Sequence, residues 1–118
     1  MENNTIFGKI IRGELPSKKV YEDDDVLAFH DINPVAEVHF LIIPKKFIPT
    51  LVDVAPEDVP LLGKMLALVT VLAKQEGLSD GFRTTINTGR LGGQDVYHVH
   101  IHVFGNRPGG IPLPTLVK

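Results

Sequence analysis

Three histidines stand two residues apart in Tyr97-His98-Val99-His100-Ile101-His102-Val103-Phe104. A β-strand turns successive side chains to opposite faces, so this spacing predicts three imidazoles in a row on one face, with Val99, Ile101 and Val103 facing a core on the other. Rings placed on an inner sheet face need polar partners. Three readings compete. One is a solvated strand, although such a face more commonly carries Thr, Lys and Glu. A second is a metal site, since neutral imidazole is the commonest protein ligand and His39 offers a fourth donor. Neighbours two apart lie ~6.5 Å from each other along a strand, so three in line share an ion awkwardly. The third is nucleophilic chemistry: a neutral imidazole attacks electrophiles near pH 7, and a flanking ring can donate to the charge that develops.

The segment before the histidines is Thr88-Gly89-Arg90-Leu91-Gly92-Gly93-Gln94-Asp95. Glycines leave backbone N–H groups open to an anion. No Gly-Lys-Ser/Thr follows and the next element is a strand, so this is not a P-loop. Alone it reads as a hairpin turn; beside three imidazoles it points to phosphorus chemistry.

The elements that must hold this arrangement follow from periodicity. Residues 4–12 form a short amphipathic helix, with Asn4 and Thr5 as caps, Ile6, Phe7, Ile10 and Ile11 on one side, and Gly13 and Pro16 ending it. Lys19–Glu22, Val26–Ile32 and Val38–Ile43 read as strands. The acidic run Glu22 to Asp25 makes the first turn, and Asn33-Pro34 opens the next loop. Residues 56–76 make one long helix, with Pro56, Glu57 and Asp58 at its start and Gly77 just past its end. Glu57, Lys64 and Gln75 form a narrow polar stripe, and most other positions are apolar. The helix is either deeply buried or, the favoured reading, packed on the sheet and on a partner subunit. Strands over Phe82–Asn87 and Tyr97–Phe104 close the set. The tail from Pro108 to Lys118, rich in Pro and Gly, is irregular and wraps over another surface. The expected fold is α+β: a five-stranded antiparallel meander sheet with one long and one short helix, in a single domain spanning 1–118.

Composition sets the bounds. The chain has 118 residues, 12 Lys+Arg against 14 Asp+Glu, 43% hydrophobic and 22% charged residues. That is a folded soluble domain. Zero cysteines exclude disulfides, thiolate metal centres and a cysteine nucleophile. A net charge of −2 argues against a nucleic-acid partner. No apolar run approaches the ~20 residues of a membrane span, and the first residues lack a secretory pattern, so a cytoplasmic protein without membrane attachment is expected.

His98-Val99-His100-Ile101-His102-Val103-Phe104 resembles the histidine triad motif, in which three histidines alternate with apolar residues. Thr5–Arg12, Leu27–Ile32, His39–Lys46 and Gly92-Gly93-Gln94 are similar to the nucleotide-binding (HINT) branch of the histidine triad (HIT) superfamily. The resemblance implies a homodimeric purine nucleoside 5′-monophosphoramidate hydrolase, also acting on acyl-adenylates, that needs no metal or other cofactor. Position by position, it makes His100 the nucleophile on the α-phosphorus, forming a nucleotidyl-histidine that water hydrolyses. His102 would contact the phosphate oxygens, with His98 and His39 in support. Asp31 would accept from the ribose hydroxyls. Ile6, Phe7, Ile10, Phe29, His30 and Ile32 would line the base pocket, and Asn87, Gly93, Gln94 and Asp95 would flank the phosphate. Without the resemblance, Asp31 is a turn residue and Phe29 and Ile32 are plain core. Chemistry agrees: a hydrogen bond from the Nδ1–H of the middle ring to a carbonyl would leave its Nε2 bare, and a leaving amine wants a proton. Three departures stand out. Asp95 replaces a frequent serine, Phe47 replaces a histidine found in some members, and the tail lacks tryptophan. Two rival functions remain: a nucleotide-binding adaptor with incidental hydrolysis, and a dinucleoside polyphosphate hydrolase.

Overall fold

The computed structural model describes residues 3–115; both ends of the expected domain, including the last three residues of the tail, lie outside the described residues. The chain runs α1 (Ile6–Ile11), β1 (Lys19–Glu22), β2 (Val26–His30), β3 (Val38–Pro44), two short 3₁₀ turns (Leu51–Asp53 and Pro56–Asp58), α2 (Val59–Gln75), β4 (Arg83–Thr85) and β5 (Ile101–Gly105). All strand pairs are antiparallel, in the order β1-β2-β3-β5-β4. The simple meander is therefore corrected: β5 inserts between β3 and β4. The reason is burial. All seven residues of β3 are buried, so it needs a partner along each edge, whereas the three-residue, half-exposed β4 suits a sheet margin.

The expected strand at Tyr97–Phe104 also shortens. Its ladder begins at Ile101, opposite Ile42. The register brings the preceding residues toward Pro44, which has no N–H to give. Val99 turns instead to the carbonyl of Ile48, at 2.7 Å. His98 and His100 thus sit on an irregular approach to β5, held by side-chain contacts rather than by a ladder.

The sheet has two apolar faces. Val26, Ala28, Phe40, Ile42, Ile101 and Val103 pack on Met65, Val69 and Leu72 of α2. Leu27, Phe29, Leu41 and Ile43 pack with Phe7 of α1 on the other side. A helix of six residues is too short to be stable alone. It is held by Phe7, whose ring meets Phe29 edge-on at 5.5 Å, and by the Thr5 hydroxyl accepting from Gly8 N–H, a cap worth about 1 kcal/mol.

Helix α2 ends as expected, with Gly77 at φ +87°. Of its side chains Met65, Val69, Leu72 and Ala73 are buried, whereas Val59, Leu66 and Val71 are 63%, 59% and 59% exposed. The reading of a helix buried all round does not hold. The acidic turn is locked by Asp23, which accepts from the Asp25 and Val26 amides, from the Tyr21 hydroxyl, and from Lys64 of α2. Among the described residues no helix is long and apolar enough to cross a membrane.

Candidate active site

Because Leu41 pairs with His102, and His39 lies two residues before Leu41, both histidines project from the α1 side of the sheet. Their Nε2 and Nδ1 atoms are 3.0 Å apart. The His100 and His102 rings meet at 4.9 Å between centroids, and Phe7 lies edge-on to His100 at 5.0 Å. Phe47, the departure noted above, stacks on His98 at 5.8 Å.

Fixed donors and acceptors settle the tautomer of each ring. The backbone N–H of Val35 donates to His39 Nδ1 at 3.2 Å. The neutral ring therefore carries its proton on Nε2 and donates it to His102 Nδ1, which leaves His102 presenting an Nε2–H. His98 accepts at Nδ1 from the Asn3 side-chain amide at 2.8 Å and donates from Nε2 to the Pro44 carbonyl at 2.7 Å. His100 donates from Nδ1 to the carbonyl of His98 at 2.8 Å. Its Nε2 is buried with no hydrogen-bond partner among the described residues. One bare imidazole nitrogen thus lies beside a ring that offers an N–H, an arrangement able to bond to an electrophile while donating to the charge that builds on it.

Burial lowers the pKa of His39, His98 and His102, most directly by penalising the imidazolium; His100 adds a smaller lowering at His98 and His102, and the Asp31 carboxylate opposes it at His39. These rings refuse in the folded state a proton that they accept near pH 6.5 when unfolded. Stability should hold above that pH and be lost as pH falls toward the depressed folded values, by up to about 1.4 kcal/mol per pH unit for each ring. The urea midpoint is expected to drop between about pH 7.5 and about pH 5.5; a rise on acidification would contradict this assignment.

Asp31 fills the plainer of its two expected descriptions, that of a turn residue. One oxygen accepts from Asn33 N–H at 2.8 Å in the turn, and the other lies 3.5 Å from His39 Nε2. Asp31, His39 and His102 bring one donor atom each within 4.8 Å of the others. That set suits an ion poorly. For Nε2 of neutral His39 to ligate, the proton must move to Nδ1, where the Val35 N–H already points. His98 has both nitrogens engaged, so the triad-plus-His39 set is no better.

The glycine loop corrects several expectations. The N–H of Gly93 donates to Arg90 and that of Gln94 to Gly89, so these two amides close the loop rather than face an anion. The Gln94 side chain is buried and fully engaged: its oxygen accepts from Gly89, and its NH2 donates to Pro49 and Val96. Asn87 donates to the Gly92 carbonyl. These three residues brace the loop. Asp95 is 78% exposed at its side chain, its Oδ1 accepting from Val96 N–H and lying 3.7 Å from His100 Nε2. Of the expected base pocket, Phe7 and Phe29 are buried with Ile10 packed against them, while Ile6 and Ile32 are exposed. His30 does not join them. Phe29 faces α1, so alternation sends His30 to the other side, 3.6 Å from Glu76 near the end of α2. Hollows of about 220 Å³ beside β4 and the tail, and about 580 Å³ beside the start of α2, contain none of the row. Asn3 and Val35 escaped the sequence reading because contacts made across 95 residues, or through a backbone amide, leave no spacing signal.

Fold and site together describe an antiparallel α+β protein built around a histidine row. Residues 12–109 match the HIT domain model, and the chain belongs to that family. It is 52% identical over 111 residues to the purine nucleoside phosphoramidase of Escherichia coli K12, covering 93% of each chain. A HIT family hydrolase from Legionella pneumophila superposes with a TM-score of 0.85 at 47% identity, over 91% of this chain and all of that one. A histidine triad protein from Clostridium difficile gives 0.89 at 42% identity, over 99% and 100%. Within the family this chain is a hydrolase.

Proposed function

We propose that this single-domain chain is a cytoplasmic purine nucleoside phosphoramidase that works through a nucleotidyl-histidine on His100. The observation that carries the reading is the bare, buried Nε2 of His100, set by the bond from its Nδ1–H to the His98 carbonyl. Phosphoryl transfer needs an in-line nucleophile and neutralised oxygens. The Nε2 lone pair forms the bond to phosphorus as the P–N bond breaks, and the amine departs with one proton taken up from solvent. Water then attacks phosphorus, the P–Nε2 bond breaks, and the borrowed proton returns to solvent with neutral His100 restored. His102 donates its Nε2–H to a phosphate oxygen, while His98 and His39 hold the two rings in their tautomers. Asp31 receives the ribose hydroxyls. Phe29 and Phe7, with Ile6, Ile10 and Ile32, form the purine slot. Asp95 borders the phosphate and is placed to meet the leaving amine.

A kinetic comparison tests this. Adenosine 5′-phosphoramidate and acyl-adenylates should turn over well ahead of diadenosine polyphosphates. Faster cleavage of the dinucleotides would favour the polyphosphate hydrolase, and tight nucleotide binding without turnover of any of them would favour an adaptor. We read the stripe of α2 that exposes Val59 and Leu66, seven residues apart, as a homodimer face. Light scattering at micromolar concentration should give twice the chain mass, and a monomer would refute the dimer.

A further inference from the structure

The first described residue of the chain reaches its histidine row. Asn3 lies over the first turn of α1, where its side-chain oxygen accepts from the Thr5 backbone N–H at 3.1 Å and from the Thr5 hydroxyl at 2.7 Å. Its backbone carbonyl accepts from Arg12 at 2.7 Å. With the oxygen taken twice, the NH2 end is left to donate, and it meets His98 Nδ1 at 2.8 Å. Gly8 makes the room: a Cβ there would lie 2.5 Å from Asn3 Cγ and 2.6 Å from its carbonyl oxygen. The ring of His98 is fully buried between Phe7 and Phe47, which offer it no polar atom. Its Nε2 faces a carbonyl, a pure acceptor, so its proton must sit there and a lone pair must point from Nδ1. Asn3 is the group that meets that lone pair. His98 in turn supplies the carbonyl that holds His100 Nδ1–H.

We propose that Asn3 is a positioning residue for the histidine row, fixing the tautomer and placement of His98 and, through the His98 carbonyl, the aim of His100. This rests on the reading of His100 as the attacking group. A donor at this position does two things that bulk cannot. It satisfies a buried acceptor, and it opposes the other tautomer, in which Nδ1–H would collide with the amide hydrogens and the Pro44 carbonyl would lose its donor.

The test uses ¹⁵N-histidine-labelled protein without substrate, with steady-state kinetics on adenosine 5′-phosphoramidate alongside. The wild type should show His98 protonated at Nε2 alone. Asn3→Ala should blur that signature into a tautomer mixture and lower kcat about 10-fold or more, with KM within about 2-fold, since a misaimed reacting group loses rate rather than binding. Asn3→Asp keeps the shape but offers only an acceptor, so His98 should take a proton on Nδ1 and give the signals of an imidazolium. Gly8→Ala should reproduce the alanine variant by evicting Asn3 while its amide stays in the chain. Unchanged His98 signals in both Asn3→Ala and Asn3→Asp overturn the proposal, as does an Asn3→Ala loss confined to KM. The tautomer readout needs no turnover. If the wild type cleaved no phosphoramidate, the reading of His100 would fail while the Asn3–His98 link could still be judged.

Discussion

Replacing His100 by alanine is expected to lower kcat on a nucleoside phosphoramidate by about ten-thousand-fold or more, the scale on which covalent catalysis is lost with its nucleophile. No neighbour can take over. His98 has both nitrogens in hydrogen bonds, and His102 accepts at Nδ1 from His39 while its Nε2 bears the proton. The one bare ring nitrogen of the row, among the described residues, would be gone. Mixing wild-type protein with an adenosine phosphoramidate and quenching without acid should give an adenylyl adduct on the peptide holding His100, absent from the variant. Circular dichroism would establish that the variant folds, as the position is buried. Residual turnover within about 10-fold of wild type would end the covalent mechanism, because without the attacking nitrogen no route to the intermediate remains.

The second large effect comes from a residue with no side chain. Gly92→Ala would place a Cβ 2.3 Å from the Thr88 carbonyl oxygen and 2.9 Å from its nitrogen. Both are backbone atoms and cannot swing aside, so the 88–94 loop must open. That movement breaks the Asn87 bond to the Gly92 carbonyl and shifts Asp95, which borders His100. A displacement of about 1 Å near a reacting centre can cost about a hundred-fold in kcat/KM, and that is the loss expected here. The adjacent Gly93→Ala is the informative contrast. Gly93 has φ +76° and nothing within 4 Å of its missing Cβ, so its cost is backbone strain alone, about 1–2 kcal/mol. Urea titration and kcat/KM of the two variants should separate accordingly. Equal activity losses would refute the steric account.

The two glycines also mark how far the sequence could be read. Their adjacency announced a tight loop, but not which one tolerates a Cβ and not that the loop's own amides close it. The spacing of His98, His100 and His102 was legible because period-two alternation survives even where the ladder is interrupted, and the rings do stand together. What the alternation could not carry was the interruption, because it comes from Pro44, distant in the chain and adjacent in space. Alternation applied to Phe29 would have sent His30 to the α2 side, yet the resemblance drew it into the base pocket; the structure follows the alternation. The strand count and the long helix followed from local patterns, although the helix read from Pro56 begins at Val59, after a 3₁₀ turn over Pro56–Asp58. The insertion of β5 between β3 and β4 did not, since it is set by the burial of β3 on both edges, a property of the assembled sheet. Only the middle ring's tautomer was anticipated, as a bond from its Nδ1–H to a carbonyl; those of His39, His98 and His102 were hidden, being fixed by Asn3, Val35 and Pro44 through groups that a one-dimensional reading cannot pair.

That insertion has a consequence for how the molecule comes into being. As a chain grows from the ribosome, β1, β2 and β3 emerge early and can pair in succession, while the free margin of β3 stays without a neighbour. Its mate, β5, is the last of the described strands to be made. Until it arrives, Phe40 and Ile42 lack the apolar cover of Ile101 and Val103, and the histidine row proposed as the active centre is not assembled. Completion of the interior and the onset of activity thus coincide in one late event during biosynthesis, and a prematurely terminated copy lacking β5 would be both incomplete and inert.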